Sequence, residues 1–322
     1  MKRLFILFLL LGSGLASHSV YACDVCGCKL GGLYFGILPQ FENHFVGLRY
    51  SNAAFRAAVN YNSDYLEDET SNDLYQRIDL IGRYSLSEKW KVNVIVPYLM
   101  NEMDGSHQRI VSNGIGDPMI IAYYQLVNNG ADIARKNKHA LLIGGGLKLP
   151  LGEFTAEDQG EIINRNFQLG SGSLDYLLSA NYTVRRKAAG INAEASYKLN
   201  TANSDNYRFG NQFNMSTYAF YWMEWSGVSL LPYAGSYFEY GDNHTNFDFR
   251  EVNTGGHATF ASMGMQVYAG NLTVNMQYQV PVAQRFNTDG ISEIEAGNRM
   301  SLSLLWNISK KKDMPGEGMM GN

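Results

Sequence analysis

The sequence predicts an all-β fold, a transmembrane antiparallel β-barrel of about 12 strands. Three observations carry this expectation: segments that alternate apolar and polar residues, connections that alternate short and long, and aromatic residues gathered near segment ends. The clearest segment is NLTVNMQYQVPV at 271–282. There Leu272, Val274, Met276, Tyr278, Val280 and Val282 alternate with Thr273, Asn275, Gln277 and Gln279. A period of two places these sets on opposite faces of a strand. In INAEASYKLN the same rule sets Ile191, Ala193, Ala195, Tyr197 and Leu199 against Asn192, Glu194, Ser196, Lys198 and Asn200.

Taken in chain order, Lys2 and Arg3 precede the apolar run Leu4 to Leu11, and small and polar residues follow up to Ala22. That is the pattern of a signal peptide over 1–22, too short in its apolar core to span a bilayer. Residues 23–43 form a short periplasmic segment that contains every cysteine of the chain, Cys23, Cys26 and Cys28. The barrel is expected over 44–309, with strands at 44–57, 73–85, 89–101, 116–128, 138–150, 173–186, 191–200, 207–223, 227–240, 257–269, 271–282 and 298–309. Each is long enough for a tilted crossing, which takes about 9 to 11 residues. Residues 310–322, with Met314, Met319 and Met320, form a periplasmic tail.

Short connections fall at 85–90, 185–190, 224–228 and 268–271, and long polar ones at 62–73, 101–114, 151–168, 241–256 and 287–297. Two depart from the rule, the brief link at 200–206 and the long one at 128–138. Short periplasmic turns and long outer loops characterise outer-membrane barrels. Trp90, Tyr98, Tyr123, Tyr124, Tyr221, Trp222, Trp225, Tyr233 and Trp306 lie near strand ends, where amphipathic rings favour the membrane interface. A soluble β-sandwich also alternates, but it needs neither so many long strands nor two classes of loop. The expected location is the bacterial outer membrane, with outer-membrane lipid as a partner.

The formal net charge is −4, and loss of Lys2 and Arg3 with the signal peptide makes the mature chain more acidic. No basic cluster is large enough for a phosphate backbone, so nucleic acid is not an expected partner. Sequence sets no oligomeric state. The histidines His44, His107, His139, His244 and His257 are scattered and accompany no nucleophile motif, so no catalytic residue and no enzymatic activity are expected.

Cys23, Cys26 and Cys28 admit two chemistries. As thiolates they are soft ligands suited to Cu(I), with Gly27 allowing a close bend, while zinc would want a fourth ligand such as His44. In an exported protein they also suit a disulfide, with Cys23 open to lipid attachment through the degenerate Val-Tyr-Ala-Cys lipobox. No cofactor is required by either, and copper is the one metal the motif favours. Inward-facing polar residues form a second candidate set: Asp79 and Arg83, Lys91 and Asn93, Glu194 and Lys198, and Asn275 and Gln277. Such residues line a pore or pair into a structural network.

Three phrases, GIGDPMIIAYYQL at 114–126, GGGLKLPLGEF at 144–154 and LGSGSLDYLLSANY at 169–182, resemble in order and spacing the outer-membrane barrel family named for the meta-cleavage pathway of phenol degradation. Members of that family are labelled transporters. The N-terminal CDVCGC followed by GILPQFENHFVGLRY looks like outer-membrane proteins of the Bacteroidetes type. The first resemblance implies a barrel that passes or binds small molecules, hydrophobic ones included. Gly114, Gly116, Asp117, Pro150, Gly152, Gly170, Gly172 and Asp175 match its motifs. Their structural reading is that glycine permits tight bends and that aspartate accepts hydrogen bonds from loop amides. The expected function is passive transport of a small solute, because no nucleotide-binding motif offers energy. The alternative is an outer-membrane protein that binds copper through its periplasmic thiols and transports nothing.

Overall fold

The computed structural model describes residues 44–308, except 66, 131, 133, 134 and 159. The expected signal peptide, the three cysteines, the segment up to residue 43 and the tail from 309 lie outside the described residues.

Antiparallel pairing passes from each strand to the next round the wall and closes on itself. The strands are β1 (Phe45–Val59), β2 (Glu69–Ser85), β3 (Trp90–Gly105), β4 (Arg109–Ile115), β5 (Met119–Asn128), β6 (Asn137–Lys148) and β7 (Asp175–Arg186). They continue as β8 (Ala189–Leu199), β9 (Gln212–Tyr221), β10 (Val228–Gly241), β11 (Gly256–Ala269), β12 (Leu272–Phe286) and β13 (Ser292–Asn307). The strand β13 pairs with β1 and so closes the ring. Since β4 and β5 together pair along one face of β3, they act as one stave, and the result is a 12-strand barrel. Closure leaves no free edge, which is the condition for a sheet to sit in lipid.

The side chains sort as the alternation requires. Leu48, Leu80, Val94, Leu178, Met276 and Leu304 are exposed on the outer surface, while Arg49, Asp79, Asn93, Ser179, Asn275 and Ser303 are buried inside. Trp90, Tyr124, Tyr221, Trp225 and Trp306 face outward, as an interfacial belt does. The expectation fails for Tyr123, Trp222 and Tyr233, whose parity turns them into the lumen, where they are buried. Proximity to a strand end located these rings, but strand phase decides which face they occupy.

Several boundaries also differ from the sequence reading: the strand expected at 73–85 begins at Glu69, the one at 207–223 is confined to Gln212–Tyr221, the one at 271–282 runs on to Phe286, and the one at 298–309 begins at Ser292, inside the expected loop 287–297. The segment 101–114 is not a loop: β3 runs on to Gly105, and Arg109–Ile115 returns beside it, leaving only 106–108 as a turn. The segment is polar, as a loop is, yet Glu102 and Arg109 form an exposed cross-strand ion pair at 2.6 Å. The strand expected at 116–128 begins at Met119 because Gly116-Asp117-Pro118 interrupts the stave. Gly116 N–H still donates to the Pro97 carbonyl at 2.8 Å, and Leu149 N–H to that of Pro118 at 2.8 Å, so the break is bridged.

A second interruption lies between β12 and β13. Their ladder runs from Leu272 opposite Trp306 to Gln279 opposite Arg299 and then stops. Pro281 lies just beyond, where its missing N–H costs the ladder a rung. Above that point the Gln284 side-chain oxygen accepts from Ala296 N–H at 2.7 Å, a side chain standing in for a backbone partner.

Inside, large rings are seated over glycines of the neighbouring strand. Tyr233 of β10 crosses Gly264 of β11 to donate to the Asn275 side chain of β12 at 3.0 Å. A Cβ on Gly264 would collide with that ring and with the Met276 carbonyl. Gly264→Val is therefore expected to destabilise the folded barrel by about 1–3 kcal/mol through overpacking. The check is a denaturant titration in vesicles read by the heat-modifiable gel mobility of the folded form. Wild-type stability in the variant would show that the ring relaxes freely.

Candidate functional site

The lumen is the candidate site, and the inward residues divide it into distinct levels. In the half near the short turns, which is the periplasmic half of an outer-membrane barrel, Asp79 accepts from Arg49 Nε at 2.9 Å and Nη2 at 2.7 Å. Arg77 Nε also donates to Asp79, so two guanidiniums share one fully buried carboxylate. Arg83 Nε donates to Asn93 Oδ1 at 2.8 Å, and its guanidinium stands 5.1 Å from the centre of the Phe45 ring. Lys91 is buried on the next strand. These basic groups sit beside an apolar band of Phe45, Ile81, Ile95, Ile121, Leu177 and Leu305.

On β7 and β8 the polar faces meet directly. Asn181 donates to Glu194 at 2.9 Å, and Asn192 donates to Asn181 at 2.9 Å and to Thr183 at 2.8 Å. Across the barrel, Gln277 donates to the Tyr218 hydroxyl at 2.9 Å, while Asn275 receives Tyr233. The eight polar residues selected from sequence thus all face inward, but on separate stretches of wall. Asp79 and Arg83 share one stretch with Lys91 and Asn93, and Glu194 and Lys198 share another. Asn275 and Gln277 stand on a third.

The glycine and aspartate motifs converge on one place. Asp117, at the break between β4 and β5, accepts from Gly152 N–H at 2.9 Å, Ser171 N–H at 2.9 Å and Lys148 Nζ at 2.8 Å. Lys148 also meets Asp175 at 2.7 Å, and Ser173 donates to Asp175 at 2.9 Å. Gly152 and Gly170 lie with their backbones in contact, where a Cβ on either would strike the other. Gly114 and Gly116 leave room for Leu169. Gly172 takes a φ of 69° under the Phe154 ring, a left-handed conformation that favours glycine. Pro150 follows the Lys148-Leu149 end of β6 and starts the inward turn of the 149–174 segment. This segment packs Phe167 and Ile163 against Met103 and Ile110 at the outer end of the lumen.

Sequence reasoning did not select Lys148, Arg49 or Arg77, although each sits at an inward phase of its strand. It also missed Arg299 and Glu239, which form a bidentate pair at 2.7 Å and 2.7 Å across the outer half of the lumen. The Arg299 guanidinium lies 4.1 Å from the centre of the Phe260 ring. A cavity lies between these levels, lined by Tyr75, Leu99, Leu169, Phe209, Arg77 and Lys198 among others. His44, considered as a zinc ligand, accepts from Ser85 N–H through Nδ1 at 3.3 Å and packs on Tyr84. Among the described residues no group of three His, Cys, Asp or Glu side chains is placed to hold a metal ion.

No family model matches the chain, and no curated protein matches it. Among solved structures, an outer membrane channel from Pseudomonas putida F1 superposes with a TM-score of 0.61 at 14% identity, covering 86% of this chain and 99% of that one. A FadL homologue from Pseudomonas aeruginosa gives a TM-score of 0.40 at 10% identity, covering 83% and 91%. A monoaromatic hydrocarbon channel gives 0.40 at 10% identity, covering 85% and 91%. Ring closure, an apolar exterior and the fold shared with the first of these make the chain an antiparallel β-barrel of the bacterial outer membrane.

Proposed function

We propose that this barrel carries a small, partly apolar solute passively across the outer membrane. The observation that carries the reading is the lumen itself, whose cavity has an apolar wall of Tyr75, Leu99, Leu169 and Phe209 and a cationic edge of Arg77 and Lys198. Pockets that combine apolar area with a few placed polar groups suit small organic molecules. The superposed Pseudomonas putida barrel is a channel, and that activity is carried to this chain as part of the proposal.

The path is narrow. Phe45, Ile81, Ile95 and Ile121 are almost wholly buried in the periplasmic half, so a solute must displace side chains to pass. Such a filter admits small solutes slowly and excludes large ones. In liposome swelling, pentose-sized solutes are expected to enter faster than through protein-free vesicles and disaccharides not to enter. Phe45→Ala combined with Ile95→Ala should raise the rate several-fold. A swelling rate equal to that of empty vesicles for both proteins would reject transport.

A further inference from the structure

The lipid-facing wall carries a hollow with a basic mouth. Ala122 of β5, Gly145 of β6, Ala180 of β7 and Ala195 of β8 are small outward residues that floor a depression in it. They adjoin because Ala122 pairs with Gly145 and Ala180 with Ala195 in their ladders. Leu178, Tyr197 and Phe213 stand on its outer side, and Trp90 and Tyr124 on the side of the short turns. Below the hollow, the outward residues of β8 are Ala193, Ile191 and Ala189, so a shallow, mostly alanine track descends to the β7–β8 turn. Tyr182 and Tyr221 flank that track, opposite Ala193 and Ala189.

The turn at the foot of the track is basic. Arg186 and Lys187 are exposed there, and Asn137 pairs with Arg186, which brings the exposed Arg135 and Lys136 of the neighbouring connection alongside. Asp132 is the one carboxylate of these two connections, and it pairs with Arg135 at 3.0 Å. Among the described residues, Lys136, Arg186 and Lys187 enter no ion pair. Glu88 and Glu224 belong to the connections on either side.

A basic rim beside an apolar hollow is complementary to a molecule with an anionic head and a hydrocarbon chain, and clustered Lys and Arg at a membrane surface attract anionic lipid heads. A second copy of the chain suits the face poorly. Docked through the same patch of each, two copies would set the basic turns against one another.

We infer that this face binds one anionic phospholipid of the periplasmic leaflet, its phosphate between Lys136 and the Arg186–Lys187 turn and an acyl chain along β8 into the hollow at Ala180 and Gly145. The site lies outside the lumen and is independent of the transport reading.

The test uses the full-length mature protein in detergent. Native mass spectrometry reads the lipid retained after delipidation and addition of phosphatidylglycerol or phosphatidylethanolamine with identical chains. One phosphatidylglycerol is expected to stay bound, several-fold more than phosphatidylethanolamine. Arg186→Gln with Lys187→Gln should erase that preference. Gly145→Leu tests the hollow separately, since a Cβ there meets nothing closer than the Leu177 carbonyl at 3.9 Å and the new side chain can occupy the hollow without straining the wall. It should lower phosphatidylglycerol retention several-fold while the heat-modifiable mobility of the barrel stays as in wild type. Ala195→Leu provides a second filling variant if Gly145→Leu does not fold.

Equal retention of the two lipids would overturn the inference, as would a preference that survives the glutamine pair. Retention unchanged by the filling substitutions would reduce the site to charge attraction at the rim and remove the seat for the chain. A wild-type dimer that a filling substitution dissociates would give the hollow to a second copy instead.

Discussion

Asp79→Ala is expected to cost the barrel about 3–5 kcal/mol, because removing one partner from a buried ion pair leaves its cations uncompensated. Here the single carboxylate serves both Arg49 and Arg77, and none of its side chain is exposed. Asp79→Asn tests the cause. It keeps the shape and one acceptor oxygen but removes the charge, so it should recover only a minor part of the loss. The measurement is a denaturant titration in vesicles, and a variant within 1 kcal/mol of wild type, on the order of the worth of an exposed pair, would show that lumen water screens the two guanidiniums. A further replacement of Arg77 in the Asp79→Ala background should regain stability, since one of the stranded charges is removed with it.

Asp117→Ala is expected to release the 149–174 segment from the wall. The carboxylate receives two backbone amides and the Lys148 ammonium, and each buried donor left without a partner costs about 1–3 kcal/mol. The loss falls on one segment more than on the whole barrel, because the strands on either side remain paired. Hydrogen exchange should therefore accelerate at Gly152 and Ser171 while the amides of β1 and β2 stay protected. Trypsin should gain access at Arg165, which in the folded segment donates to the Phe154 carbonyl at 3.1 Å. Protection equal to wild type at Ser171 would assign the anchoring to the packing of Phe167 and Leu169 instead.

Strand phase was the most legible part of this chain. The alternation at 271–282 and 191–200 fixed which side chains meet lipid and which face inward, because a period of two allows no intermediate orientation. Charge was a poorer guide to boundaries. The polar stretch 101–114 reads as a loop, although charged residues such as Glu102, Asp104 and Arg109 cost little on the part of a stave that extends beyond the membrane.

The candidate site was legible as a face and not as a set of contacts. That Asp79 and Glu194 point inward follows from local sequence, whereas the pairing of Arg299 with Glu239 joins residues 60 apart through barrel curvature that no local pattern encodes. The motif around Asp117 lay between these cases. Its three phrases are separated along the chain and matched a family in order, but only the fold shows Gly152, Gly170 and Ser171 meeting one carboxylate.

The incomplete ladder above Gln279 has a mechanical consequence. A closed ring of strands has no end from which to fray, so its rupture under heat or force begins at whichever junction holds the fewest rungs. Between β12 and β13 the rungs cease halfway up, and above them the side chain of Gln284 fastens the two strands. The barrel therefore carries a tear line on its outer half, placed there by a proline, while the neighbouring seam that joins the first strand to the last is stitched along nearly its whole length.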